Sequence, residues 1–145
     1  MGQNDLTIFY ADDDPDDQLL FREAVAGLEG PFKIQVKNSA DELLTELTNS
    51  LVAPSLVFLD LNMPGKSGFE VLEEIRQYDQ LKNLPVIILS TSDDKRDIDE
   101  AKNRGADFFI TKPLSYRTYK KAIAYSLSIN WEKFKANREN FVYTD

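Results

Sequence analysis

Five short apolar runs, Leu6–Ala11, Phe32–Lys37, Leu56–Asp60, Pro85–Ser90 and Asp107–Ile110, begin at intervals of between 22 and 30 residues. The segments between them have helical periodicity. Leu20, Ala24, Val25 and Leu28 share one face, as do Leu43, Leu44 and Leu47, and Phe69, Leu72 and Ile75. A helix between two strands returns the chain to the start of the sheet, so the next strand pairs parallel through a right-handed crossover. The alternation therefore predicts an α/β fold with a doubly wound, five-stranded parallel sheet. Local signals mark the helix ends: Pro15 suits a first helical position, Ser39 and Ser67 suit N-caps, and Gly105 suits a stop.

Strand character orders the sheet. Residues 56–59 and 86–89 are apolar on both faces, as central parallel strands are. Phe32–Lys37 alternates apolar with polar, which fits an edge. An edge position for the second strand is consistent with the order 2-1-3-4-5, whose topological switch lies between strands 1 and 3. Ligands of open α/β sheets bind outside the carboxyl ends of the strands at such a switch.

Those ends carry chemistry. Asp12 and Asp13 follow the first strand, Asp60 ends the third, Ser90 ends the fourth and Lys112 follows the fifth. Two carboxylates 4 Å apart repel by about 1 kcal/mol in water and about 4 kcal/mol at an effective dielectric of 20. A divalent cation removes that cost, and an all-oxygen ligand set favours Mg²⁺ over zinc or copper. The constellation reads as a site that holds a hard cation and accepts a phosphoryl group on Asp60. The neighbouring acids Asp14, Asp16 and Asp17 read instead as a solvated, dipole-favoured helix start.

Composition excludes several alternatives. The 145 residues contain no cysteine and no histidine. Disulfides, thiolate metal sites, a phosphohistidine and a Ser–His–Asp triad are therefore ruled out in this chain. A net charge of −8 argues against a nucleic-acid partner. No run approaches the ~20 apolar residues of a membrane span, and no apolar signal region opens the chain. The expectation is a cytoplasmic protein with no membrane partner.

With these motifs in order, the chain resembles a response-regulator receiver domain of two-component signalling, of the stand-alone, chemotaxis-like type. The matching motifs are Asp12–Asp13, Leu59–Asp60 with Met63–Pro64 and Gly68, Ser90, and Lys112–Pro113. The resemblance covers roughly residues 5 to 128. It implies a flavodoxin-like fold and phosphoryl transfer from a sensor histidine kinase onto Asp60. It further implies Mg²⁺ held by Asp13, Asp60 and the backbone carbonyl of Asn62, with Asp12 acting partly through water. Lys112 would stabilise the transferring group and Ser90 would hydrogen-bond the product, with Thr91 the alternative hydroxyl. Phe109 reads equally as core and as the aromatic conformational switch of this family.

Two further segments bear on output. From Asp93 to Arg104 only Ile98 and Ala101 are clearly apolar, so that helix should be weakly held. Tyr119, Ile123, Leu127, Trp131, Phe134 and Phe141 recur at intervals of three, four or seven, which predicts a last helix extended past Asn130. The expected organisation is a receiver domain over 5–128 and a C-terminal helical extension over 129–145, with no output domain. Output would then go to a downstream protein target, a phosphotransfer protein or a homodimer partner. The competing readings are a phosphorelay intermediate, an inactive receiver-like scaffold, and an aspartate-nucleophile phosphohydrolase. The last wants an acid where Asn62 stands.

Overall fold

Neighbouring strands of the sheet pair through matched apolar residues. Ile8 lies beside Leu56 and Ile34, Phe58 beside Ile87, and Ile87 beside Phe108. The structure, a computed structural model, describes residues 6–49, 53–137 and 139–144. Its elements run β1 (Leu6–Ala11), α1 (Pro15–Ala26), β2 (Phe32–Lys37), α2 (Ala40–Asn49), β3 (Leu56–Leu59), α3 (Gly68–Gln77), β4 (Val86–Ser90), α4 (Lys95–Asn103), β5 (Phe108–Thr111) and α5 (Tyr116–Ser128), with a 3₁₀ turn over Asp79–Leu81. All strands are parallel, in the order β2-β1-β3-β4-β5. The sequence-based order is thus the observed one, as is the edge position of β2. No helix among the described residues is long and apolar enough to cross a membrane.

The two-residue alternation of strand side chains divides the core in two. Ile8, Tyr10, Leu56, Phe58, Ile87, Leu89, Phe108 and Ile110 pack with Phe21, Ala24 and Val25 of α1 and Tyr119, Ala122 and Ile123 of α5. Phe9, Ala11, Val57, Leu59, Val86, Ile88 and Phe109 pack with α2, α3 and Ala101 of α4. Phe21, which lies on the predicted α1 face between Leu20 and Ala24, is its largest buried residue.

The helix ends follow the local signals. Pro15 opens α1, and Asp14 caps it by accepting from the Asp16 amide. Ser67 and Glu70 form a reciprocal capping box on α3. Gly105 follows α4 at φ 107°, a conformation that favours glycine. As its composition requires, α4 buries Ala101 and half-buries Ile98.

The C-terminal segment departs from expectation. Among the described residues no helix extends past Asn130: α5 ends at Ser128 and Ile129 is extended. The Trp131 indole N–H donates to the Ser126 carbonyl at 3.1 Å, satisfying a helix-end acceptor that a further turn would have used. Trp131 and Phe134 then pack on Phe108, each 6.1 Å away between ring centroids. The chain returns along the open edge of β5. Phe109 donates its amide to the Phe141 carbonyl and accepts from the Tyr143 amide, both at 2.9 Å, and Val142 bridges Phe109 in parallel. Of the periodic residues, Tyr119, Ile123 and Leu127 thus lie on α5, whereas Trp131, Phe134 and Phe141 belong to a strap. The physical reason is that β5 offers unpaired backbone groups and an apolar slot, which a continued helix would leave unfilled.

Phe141 is 2% exposed and packs in the α3–α4 half of the core. We expect Phe141→Ala to destabilise the fold by about 3–5 kcal/mol, the usual cost of emptying a buried phenylalanine site. Urea denaturation of the variant measures it; a loss below about 0.5 kcal/mol, typical of a surface change, would show that the strap is not part of the core.

Candidate functional site

Backbone hydrogen bonds carry the parallel ladder just past the strand ends, and this places the polar residues. The Asp12 amide donates to the Lys37 carbonyl (3.1 Å), the Asp60 amide to the Ala11 carbonyl (3.1 Å) and the Lys112 amide to the Ser90 carbonyl (2.7 Å). Strand parity then decides the sides. Asp12 continues the alternation of Ile8 and Tyr10, Asp60 that of Leu56 and Phe58, and Lys112 that of Phe108 and Ile110. All three belong to the α1–α5 side. Ser90 shares the parity of Val86 and Ile88, and with Phe109 belongs to the α3–α4 side.

Asp12, Asp13 and Asp60 each bring a carboxylate oxygen within 4.8 Å of the others. Asp12 and Asp60 are buried, and Asp13 is exposed at the mouth. Asp12 accepts three hydrogen bonds. Its Oδ1 accepts from the Asp14 amide at 2.9 Å, and its Oδ2 accepts from the buried Tyr10 hydroxyl at 2.5 Å and from Lys112 Nζ at 3.0 Å. Burial, followed by the Asp12 charge, pushes the Tyr10 hydroxyl pKa far above its usual range, so it remains a donor. Among the described residues, Asp60 Oδ1 accepts a single long bond, from the Asn62 amide at 3.3 Å. Asp13 and Asp60 therefore keep the oxygen capacity that an ion would need.

Burial pushes the Asp60 carboxyl from 3.8 up to about 6; Lys112 opposes this shift and Asp12 and Asp13 add to it. The carboxylate charge is thus held at a cost, which is the condition that a bound cation relieves. The donor set of three carboxylates, with no nitrogen or sulfur ligand, fits a hard divalent ion. Lys112 resists burial through its hydrogen bond to Asp17 and the fields of Asp60 and Asp12, which hold its pKa above the ordinary value.

Gly68 shapes the loop below Asp60. A Cβ on it would lie 2.5 Å from the Asp60 carbonyl oxygen and 2.7 Å from the Leu61 Cα. Only glycine lets the start of α3 approach the Asp60 backbone that closely.

Ser90 is fully buried, and its Oγ accepts from the Ser92 amide at 3.1 Å, whereas Thr91 is exposed. Of the two candidate hydroxyls, Ser90 is the inward one. Phe109 is fully buried, 6.4 Å between ring centroids from Phe141.

The structure corrects the sequence reading at Asp17. This residue is not simply part of a solvated helix start, because its Oδ2 accepts from Lys112 Nζ at 2.9 Å. Tyr10 was also missed as part of the site. A tyrosine two residues before an acid on a strand places its hydroxyl on that acid's side, which could have signalled the contact.

A family model for the response regulator receiver domain matches residues 8–124. Response regulator Rcp1 of Synechocystis is 42% identical over 59 residues, which make up 41% of this chain and 40% of that protein. The chain thus spans less than half the length of that curated relative. The phosphorylated cyanobacterial phytochrome response regulator RcpA superposes with a TM-score of 0.80 at 29% identity, covering 92% of this chain and 98% of that one. The Mn²⁺-bound form of Rcp1 superposes with a TM-score of 0.79 at 25% identity, covering 91% and 99%.

The raised Asp60 pKa has a signed consequence. Its folded value lies above its unfolded one, so the folded chain holds more protons from about pH 4 to about pH 6 and this group's contribution to stability falls as pH rises through that window. Asp60→Asn removes the group. In chelator, the stability of the variant relative to the unsubstituted chain should grow from about pH 4 to about pH 7, by on the order of 2–3 kcal/mol. Denaturant titrations across that range test this; a constant difference would mean that Asp60 titrates normally.

Proposed function

This chain belongs to the response regulator receiver family, and from that premise we propose that it accepts a phosphoryl group from a sensor histidine kinase onto Asp60, in a Mg²⁺-dependent reaction, and signals by changing conformation. The observation that carries the reading is a buried carboxylate of raised pKa, clustered with two others at the switch point of a parallel sheet, with one ammonium among them. Kinships with a phosphorylated and an Mn²⁺-bound response regulator support it.

Asp13 and Asp60 would hold Mg²⁺ directly, with the Asn62 carbonyl, while Asp12, its oxygens already engaged, would act through water. When bound, the cation neutralises the carboxylates and the charge of the incoming group. An Asp60 carboxylate oxygen forms a bond to phosphorus as the phosphorus–nitrogen bond of the kinase phosphohistidine breaks, and the imidazole leaves. Lys112 stabilises the charge on the transferred group. Ser90 turns its hydroxyl from the Ser92 amide toward a phosphoryl oxygen.

Ser90 and Phe109 face the same side of the sheet as α4, so a shift of Ser90 is felt first by Phe109 and by that lightly anchored helix. The receiving partner is a downstream protein target, a phosphotransfer protein or a second copy of the chain. The chain acts as a regulatory phosphoacceptor, which catalyses only its own phosphorylation and dephosphorylation.

Acetyl phosphate with Mg²⁺ should add the mass of one phosphoryl group, and Asp60→Asn should abolish that gain while keeping the fold. Intact-protein mass spectrometry reads this, and an undiminished gain in the variant would sink the assignment. Ser90→Ala should accept the group yet fail to alter hydrogen exchange over residues 93–125. Normal transmission in that variant would move the switch role to Thr91.

A further inference from the structure

The Lys112 ammonium is shared between two carboxylates, and Asp60 is neither of them. Its hydrogen bonds run to Asp12 Oδ2 at 3.0 Å and to Asp17 Oδ2 at 2.9 Å. The two acceptors differ in kind. The Asp12 side chain is 1% exposed and is pinned by the Tyr10 hydroxyl and the Asp14 amide. The Asp17 side chain is 33% exposed, at the third position of α1, and water can solvate it if the ammonium leaves. Lys112 is a long, unbranched side chain, 11% exposed, that can pivot about its Asp12 contact.

We propose that Asp17 is a positioning residue that holds the Lys112 ammonium on the α1 side of the site and thereby sets how readily Lys112 transfers to a phosphoryl group on Asp60. The proposal rests on the phosphoacceptor reading of Asp60. In the unmodified chain Asp17 keeps the ammonium from hydrogen-bonding Asp60, so Lys112 acts on that carboxylate only through its field and leaves its oxygens to a cation. Once Asp60 carries a phosphoryl group of about −2 charge, Lys112 exchanges Asp17 for a phosphoryl oxygen and keeps Asp12. A partly exposed ion pair is a weak tether, so the exchange is reversible and Asp17 tunes its equilibrium.

Asp16 is the natural control. It is the adjacent acid in the same helical turn and is exposed. Either substitution removes one negative charge from the start of α1, but only Asp17 touches Lys112.

The test uses the full chain at saturating Mg²⁺, with beryllofluoride as the phosphoryl mimic and ¹⁹F NMR as the readout. Asp17→Asn should bind beryllofluoride roughly 3- to 5-fold more tightly than the unsubstituted chain, the range expected for losing a weak competing pair. Asp16→Asn should change affinity less than about 2-fold. Independently of phosphate chemistry, the ¹⁵N-resolved Lys112 ammonium signal of the metal-free chain should be slowly exchanging, should broaden in Asp17→Asn, and should persist in Asp16→Asn. Equal beryllofluoride affinities for the two variants, weaker binding by Asp17→Asn, or an unchanged ammonium signal in that variant would each overturn the role of Asp17. If the unsubstituted chain binds no beryllofluoride, the phosphoacceptor reading itself falls, and this proposal with it.

Discussion

One ammonium, from the carboxyl end of β5, serves carboxylates at the ends of β1 and β3 and at the start of α1. Lys112 bonds Asp12 and Asp17 and lowers, by its field, a proton affinity of Asp60 that burial raises. The cluster cannot be neutral and cannot be fully solvated, since Asp12 and Asp60 are buried. Part of its charge is held by Lys112 and by fixed donors from Tyr10 and Asp14. The remainder lies on Asp13 and Asp60, and three clustered carboxylates with no nitrogen or sulfur donor fit a hard divalent cation.

Strand pleat puts Asp60 and Ser90 on opposite sides of the sheet. Consecutive residues point to opposite faces, so Asp12, Asp60 and Lys112 share the α1–α5 side while Ser90 and Phe109 face α4. Ser90, at the end of the neighbouring central strand, is fully buried on the side away from Asp60. On that side lies α4, a helix that buries one alanine. An element with so little apolar contact moves at small cost.

The strap over the β5 edge adds a constraint on that far side. Both backbone groups of Phe109 are engaged by residues 141–143, and the Phe141 ring lies against the Phe109 ring. The β5 edge of the sheet is bridged at Phe109 by the C-terminal segment, whose Phe141 and Val142 also pack with Ala101 and Ile98 of α4. Movement of Phe109 is therefore coupled to the strap as well as to the helix.

The element order, the sheet order and the residues gathered at the strand ends were determined by local sequence. Apolar runs of strand length, helical periodicity between them and capping residues at their ends depend on neighbours within a few positions. Asp12, Asp13, Asp60, Ser90 and Lys112 were legible for the same reason, because a strand end locates a side chain without reference to the rest of the fold. Asp17, Tyr10 and the strap were not. Asp17 in sequence is one of several acids at a helix start, and 95 residues separate it from Lys112. The spacing from Tyr119 to Phe141 is as good a helix as it is a folded-back strap. Tertiary structure decided these cases, because each turns on which distant group lies within hydrogen-bond or packing distance once the sheet has closed: the ammonium beside Asp17, the buried carboxylate above Tyr10, and the unpaired edge of β5.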